Sequence, residues 1–393
     1  MTLIALSASL YAVDSEGVAS SSIYVLYYFG IGAVGLLGGW VLQRFTAISI
    51  GVVGALVNSA IVFYLSLFNT VYPIVGLPCV FVIFLMSGID HPNSLRFFNE
   101  VISEDKKMSF FSTKESATYL FNLIAPPVAA FIIAIWGARI CFLIDGFTYL
   151  LSCLPWILLR KHTQTSQPPE SRPDWFVGFK FLVQNKNILQ LNISRLLNNL
   201  SYVTWIAALP LLIAKLAQGN VEKFAKEQAL STSLVSVGFL AASTMGIWYN
   251  KNRHAMVPMV WGASLFGLGA VIFLVLSLFI REFLYLGALL TGIGTYCFRI
   301  SGMTLGQAFT PKHVLGAVII AGDAVVRSWS FLVSLVAMGI FQFHESFELS
   351  DAELCFLLII FPALSLISPF LLNNLVKAFV VKDKQPSQEM VNL

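Results

Sequence analysis

Chemistry in this sequence has to come from the few charged residues set inside long apolar runs. Asp323 and Arg327, in Gly322-Asp-Ala-Val-Val-Arg-Ser-Trp329, stand four apart. That spacing puts both on one helical face, where each can partly neutralise the other. At 1.5 Å per residue, Arg327 falls roughly 17 to 20 Å into its apolar run. An Asp or Arg at the centre of a bilayer costs about 2.5 to 3.5 kcal/mol on insertion scales. A pair at that depth either faces a polar path or serves as a static ion pair, and as a path it can bind substrate or carry a proton.

A second group surrounds Pro92, namely Asp90, His91, Asn93, Arg96 and Glu100. His91 beside Asp90 can titrate near neutral pH and couple protons, or it is simply hydrogen-bonded. Asn93, Arg96 and Glu100 share a face at spacings of three and four. They lie near the end of their run, so Arg96 and Glu100, with Arg44 at the end of another, are expected to form a gate or anchor. Arg195 with Asn198, Asn199 and Trp205, and Arg299 near Tyr296, could hold an anionic or hydroxylated substrate, because Arg presents a planar five-donor fork. For Arg195 the competing reading is snorkelling to the interface. Asp145 is expected close to a boundary, in a helix-end role.

The elements that must position these groups follow from composition. Of 393 residues, 57% are hydrophobic and 11% charged, with a mean hydropathy of +0.80. A soluble domain with those values would expose apolar surface to water, so the solvent is lipid. A hydrocarbon core of about 30 Å takes about 20 helical residues. Full spans are predicted over 22–42, 47–67, 72–101, 117–136 and 138–159, then 188–213, 230–248, 256–280, 283–309, 314–341 and 352–376. The run from Thr2 to Val13 is too short to cross and reads as the end of a first helix. The expectation is an all-α membrane protein with eleven full spans plus a stub. Its parts are a helix bundle over 1–159, a linker over 160–187, a second bundle over 188–376 and a tail over 377–393.

Trp175, Phe176, Phe179, Leu182 and Val183 recur at helical spacing in the second half of the linker, after Asp174 as a cap. They predict an amphipathic helix at the membrane interface. Alternating the loops between the two sides puts fifteen Lys and Arg on the side of the linker and tail. Only Arg139, Lys215, Lys223, Lys226 and Arg281 fall on the other. The positive-inside rule therefore makes linker and C-terminus cytoplasmic.

Several chemistries are excluded. There is no phosphate-cradling Gly-x-x-x-x-Gly-Lys-Ser/Thr loop, no His-Glu-x-x-His and no Gly-x-Ser-x-Gly. The five cysteines sit in apolar runs without paired spacing, so neither a disulfide frame nor a metal site is expected. No enzyme activity, cofactor or nucleic-acid partner is implied. An ion or substrate gradient would have to drive any work.

Two matches at one offset suggest an internal repeat. Gly39-Trp-Val-Leu-Gln-Arg44 returns as Gly246-Ile-Trp-Tyr-Asn-Lys251, and Phe98-Asn-Glu100 returns as Leu305-Gly-Gln307, each 207 positions later. The twice-six layout, the linker and this repeat resemble the major facilitator superfamily across essentially the whole chain. That family's loop signature between spans two and three is kept at Gly39 and Arg44, while Gln43 replaces its acid. The stretch from Gly88 to Leu159 resembles the branch containing the bacterial enterobactin exporter, through Pro92, Arg96, Ala125-Pro126-Pro127-Val128-Ala129-Ala130 and Phe142-Leu-Ile-Asp145-Gly146-Phe147. Alanines stand where that branch has glycines.

The resemblance implies two six-helix bundles related by a pseudo-two-fold, working as a monomer by alternating access in the bacterial inner membrane. It implies proton-linked export of a siderophore or similar amphipathic metabolite, with import of such a compound or drug efflux as alternatives. A scaffold or sensor on a transporter frame is the alternative of another class. Asp323 is the first choice for the coupling acid and Asp90 the second.

Overall fold

In lipid, each backbone N–H and C=O must be paired within the protein, which leaves a run of apolar residues little choice but the helix. A computed structural model describes residues 1–102, 104–160, 177–249, 256–311, 315–346 and 350–384, and among them there is no strand. The first half holds α1 (Thr2–Tyr11), α2 (Val18–Arg44), α3 (Ala47–Leu65), α4 (Pro73–Val101), α5 (Glu104–Trp136), α6 (Ala138–Leu151) and α7 (Cys153–Leu159). After the linker come α8 (Val177–Gln184), α9 (Lys186–Ala217), α10 (Val221–Tyr249), α11 (Met256–Leu276), α12 (Glu282–Phe309), α13 (Leu315–Ser346), α14 (Asp351–Ala363) and α15 (Ser368–Lys384). Nine helical segments among the described residues are long and apolar enough to cross a membrane. The predicted spans are all met by helices, the one over 138–159 broken at Ser152 and the last passing through a 3-10 turn over Leu364–Ile367.

The two halves repeat each other in contacts as well as in order. α2 packs on α4 as α10 packs on α12, and α3 packs on α4 as α11 packs on α12. Across the halves α2 meets α13 and α5 meets α10, which are one contact related by the same two-fold. Pro73 and Glu282, which open α4 and α12, are 209 positions apart. Tyr11 and Ala217, which close α1 and α9, are 206 apart, so α1 matches the last third of α9.

Small residues make the closest crossings. A Cβ on Gly238 would collide with the Leu289 carbonyl oxygen, and one on Gly292 with that of Val235. The backbones of α10 and α12 therefore touch, as packing in lipid favours. Gly30 and Gly88 play the same part between α2 and α4.

Several elements differ from expectation, α5 among them, which begins at Glu104 and not near Ala117. α10 begins at Val221, not near Leu230, which brings Glu227 and Gln228 into a helix with both fully buried. Asp145 lies seven residues into α6, about 10 Å from its start, and accepts from the backbone N–H and the hydroxyl of Thr2, each at 2.5 Å. It therefore caps the N-terminus of α1, so the helix-end role expected of it is played on a neighbouring helix. α8 forms and docks through Phe179, Phe181 and Leu182 against Val318 and Ala321 of α13. Val183, expected on its apolar stripe, is 66% exposed, and Asp174, Trp175 and Phe176 lie outside the described residues. Asn185 then caps α9, its side chain accepting from the N–H groups of Asn187 and Ile188.

Candidate functional site

Side chains tie the two halves together at one end of the bundle, the closed end. The closed end is where α1 turns into α2 and α9 into α10. Tyr11 of α1, 1% exposed, inserts into the second half and stacks on Phe224 with ring centroids 4.1 Å apart. Its hydroxyl donates to the Ala214 carbonyl at 3.3 Å and accepts from the Gly219 N–H at 2.8 Å. Gln218 and Gly219 hold that turn at positive φ, 54° and 81°. Ser21 of α2 adds a hydrogen bond to the Ala207 carbonyl at 2.6 Å. Toward the linker, the Asp323 side chain is 53% exposed.

Asp323 and Arg327 do share a face of α13, but they are not partners. The Asp323 carboxylate accepts from Arg195 of α9 at 2.6 Å, and Gly302 and Gly322 leave room for that arginine. The direct contact of Asp323 is thus a bridge between two helices, because the α9–α13 packing brings Arg195 closer than the helical spacing brings Arg327. Arg327 instead lies over two rings of α2, its guanidinium carbon 5.6 Å from the Tyr27 centroid and 5.9 Å from that of Tyr28. Cation–π contacts of this kind contribute about 0.5 to 2 kcal/mol. Among the described residues no acceptor takes a hydrogen bond from Arg327. Tyr28 is 1% exposed and its hydroxyl also has no partner there.

The other expected site residues are distributed differently. Asn198 turns into the second half, where Nδ2 donates to Ser368 and Oδ1 accepts from Ser264, both at 2.6 Å. Asn199 donates to Ser330 of α13 at 2.5 Å. Both amides thus knit α9 to its neighbours. Arg299 of α12 donates to the Tyr119 hydroxyl of α5 at 2.9 Å, across the halves, and Tyr119 stacks on Phe239. Asp90 is half-buried on α4. Asn93 on the same helix is fully buried and donates to the Ala47 carbonyl at 2.8 Å. The side chains of His91, Arg96 and Glu100 lie outside the described residues, while Arg44 is exposed in the last turn of α2. A cavity of about 170 Å³ among Ala8, Asn69, Thr70, Gly137 and Val221 lies at the closed end and includes none of these groups.

The tyrosines of α2 were missed in the sequence, although their signal is simple. Tyr24, Tyr27 and Tyr28 recur at i, i+3 and i+4 and so share a face. Gln228 of α10 donates to the Tyr24 hydroxyl at 3.3 Å, which extends this polar strip toward the closed end.

A family model described as Major Facilitator Superfamily matches residues 1–334. The chain belongs to this superfamily. Solved structures with the same fold include a POT family transporter in complex with 5-aminolevulinic acid, at 12% identity, a TM-score of 0.71, and coverage of 98% of this chain and 94% of that one. The POT family transporter PepTSo is similar at 13% identity and a TM-score of 0.69, with 97% and 98% covered. A nucleoside transporter is similar at 13% identity and a TM-score of 0.68, with 95% and 97% covered. No curated protein matches the sequence. At these identities the likeness is one of fold, and this major facilitator chain is a multi-pass membrane transporter, with nothing in the likeness to single out the exporter branch.

Proposed function

We propose that the chain moves a small organic molecule by alternating access, with the substrate held beside Arg327 and Asp323 while the two halves rock against each other. The observation that carries this reading is an asymmetry of contacts, with the halves tied together around Tyr11 and the Asp323 side chain 53% exposed toward the linker. A passive scaffold has no use for two arginines and an aspartate inside a membrane-spanning bundle, given what each costs there.

The moving parts are the bundles 1–159 and 188–376, joined by the linker 160–187 and followed by the tail 377–393. The linker and tail lie in the cytoplasm of a bacterial inner membrane, as the excess of Lys and Arg on that side supports. Arg44, Arg96 and Glu100 close the cytoplasmic end when the outer end opens. The protein works as a monomer.

The coupling ion is the proton, carried first by Asp323 and with Asp90 as second choice. The Asp323 side chain is 53% exposed and bonded to Arg195. Protonation would release that arginine and loosen α9 from α13, linking proton entry to movement. The cargo is a siderophore or similar amphipathic metabolite moving outward, a choice that rests on the resemblance of Gly88 to Leu159 to the enterobactin-exporter branch. The test is flux in proteoliposomes under an imposed pH gradient, with catecholate and hydroxamate siderophores as probes and Asp323→Asn as the comparison. The expected result is gradient-driven flux that the variant loses. Unchanged gradient-driven flux in Asp323→Asn would remove Asp323 as the coupling acid.

A further inference from the structure

We propose that Arg327 and Tyr28 form an anion subsite, and that the substrate carries a carboxylate or an equivalent planar two-oxygen anion. This rests on the transport reading and narrows it to one class of cargo.

The charge balance of the site points there. Arg195, Asp323 and Arg327 sum to one excess positive charge, because Asp323 spends its carboxylate on Arg195 at 2.6 Å. Arg327 keeps five N–H donors with no protein acceptor among the described residues. The faces of Tyr27 and Tyr28 hold the guanidinium in place but accept none of those donors in its plane. A half-buried cation without an acceptor is unfavourable until an anion arrives.

A second observation is independent of the first. The Tyr28 hydroxyl is almost fully buried, next to Arg327, and has no partner. One helical turn toward the closed end, Gln228 donates to Tyr24 and leaves its Oε1 unpaired in the protein. Buried polar groups are nearly always bonded in a finished structure. Here Tyr28 and Tyr24, the partner of Gln228, share the face of α2 that Arg327 of α13 lies against. A carboxylate on Arg327 would take two parallel N–H bonds and the Tyr28 O–H, while Gln228 Oε1 would accept from a donor elsewhere on the substrate. A cationic substrate would meet the excess positive charge, and a neutral one would leave the guanidinium unmatched.

The experiment is equilibrium binding to the full chain in nanodiscs, followed by fluorescence of the tryptophans. Trp329, two residues from Arg327, is the nearest in sequence. The probes are 2,3-dihydroxybenzoate, its uncharged amide and benzylamine. The expected order is acid over amide by about tenfold to a hundredfold, the size of one or two charge-assisted hydrogen bonds, with the amine weakest. Arg327→Gln should abolish the preference, Arg327→Lys should keep part of it, and Tyr28→Phe should reduce it by about threefold to tenfold. Melting temperatures of the variants separate lost binding from lost folding. Equal binding of acid and amide, a preference that survives Arg327→Gln, or no binding of any probe would overturn the subsite. Gradient-driven flux of an uncharged compound with no anion preference would sink the subsite alone. A clear preference with no flux of any anion would leave the subsite standing and sink the transport reading.

Discussion

Replacing Tyr11 by Phe should open the closed end more often. The substitution removes only the hydroxyl and keeps the ring on Phe224. Two hydrogen bonds are lost, to the Ala214 carbonyl at 3.3 Å and from the Gly219 N–H at 2.8 Å. Each net bond contributes about 0.5 to 1.5 kcal/mol. Both partners have somewhere else to turn, since the Ala214 carbonyl already accepts from Gln218 and Gly219 is exposed. The total is therefore near the low end, about 1 kcal/mol, which shifts the equilibrium roughly fivefold toward the open form. Tyr11→Ala loses the ring as well and should cost about 3 to 5 kcal/mol. The assay is a cysteine-free background carrying Ala207→Cys, a fully buried position whose carbonyl holds Ser21 across the halves. Reaction with a membrane-impermeant maleimide added on the closed side follows the open population. It should speed up about fivefold in Tyr11→Phe and further in Tyr11→Ala. Equal rates in all three backgrounds would refute the seal.

The crossing of α10 and α12 predicts that Gly238→Ala or Gly292→Ala costs about 1 to 3 kcal/mol by overpacking, seen as a lower melting temperature in detergent. Gly54→Ala, whose added Cβ meets nothing within 4 Å, should instead be neutral or stabilise by up to about 1 kcal/mol; equal losses at all three positions would contradict the contact. At the closed end Glu227 is bonded to Arg281 and accepts from the Tyr285 hydroxyl at 2.7 Å, with side-chain exposures of 1% for Glu227 and 46% for Arg281. Removing Arg281 strands a buried carboxylate, whereas Glu227→Gln lets the arginine turn to water. Arg281→Ala should therefore lower the melting temperature more than Glu227→Gln does, and the reverse order would argue against a charged Glu227.

Much of the fold was legible because lipid leaves few options. Runs of about 20 apolar residues had to be helices, and the 207-residue offset anticipated that the two halves repeat each other. Boundaries failed where polarity misled, as at α10, whose first turns carry Glu222, Lys223, Lys226 and Glu227 and read as a loop. Three of those four can face water, but Glu227 is buried because Arg281, just before α12, and Tyr285 of α12 meet it there. The site was legible in part, since a charge inside a span announces itself. Its pairing was not, because helical spacing ties Asp323 to Arg327 while the α9–α13 packing brings Arg195 to it. The amides show the same limit. Asn198 and Asn199 look alike in sequence, yet the serines they meet come from α11, α13 and α15, far away in the chain. Tyr11 was unreadable, as a tyrosine in a short apolar run gives no hint of a socket formed some 200 residues later.

Gradient-driven transport is tested most directly by wild-type protein alone, in sealed proteoliposomes loaded with a catecholate siderophore under an imposed pH gradient. Flux should follow the gradient, reverse when the gradient is reversed, and stop when a protonophore collapses it. Flux no faster than in protein-free liposomes across the siderophore panel, or flux indifferent to the protonophore, would contradict a proton-linked transporter.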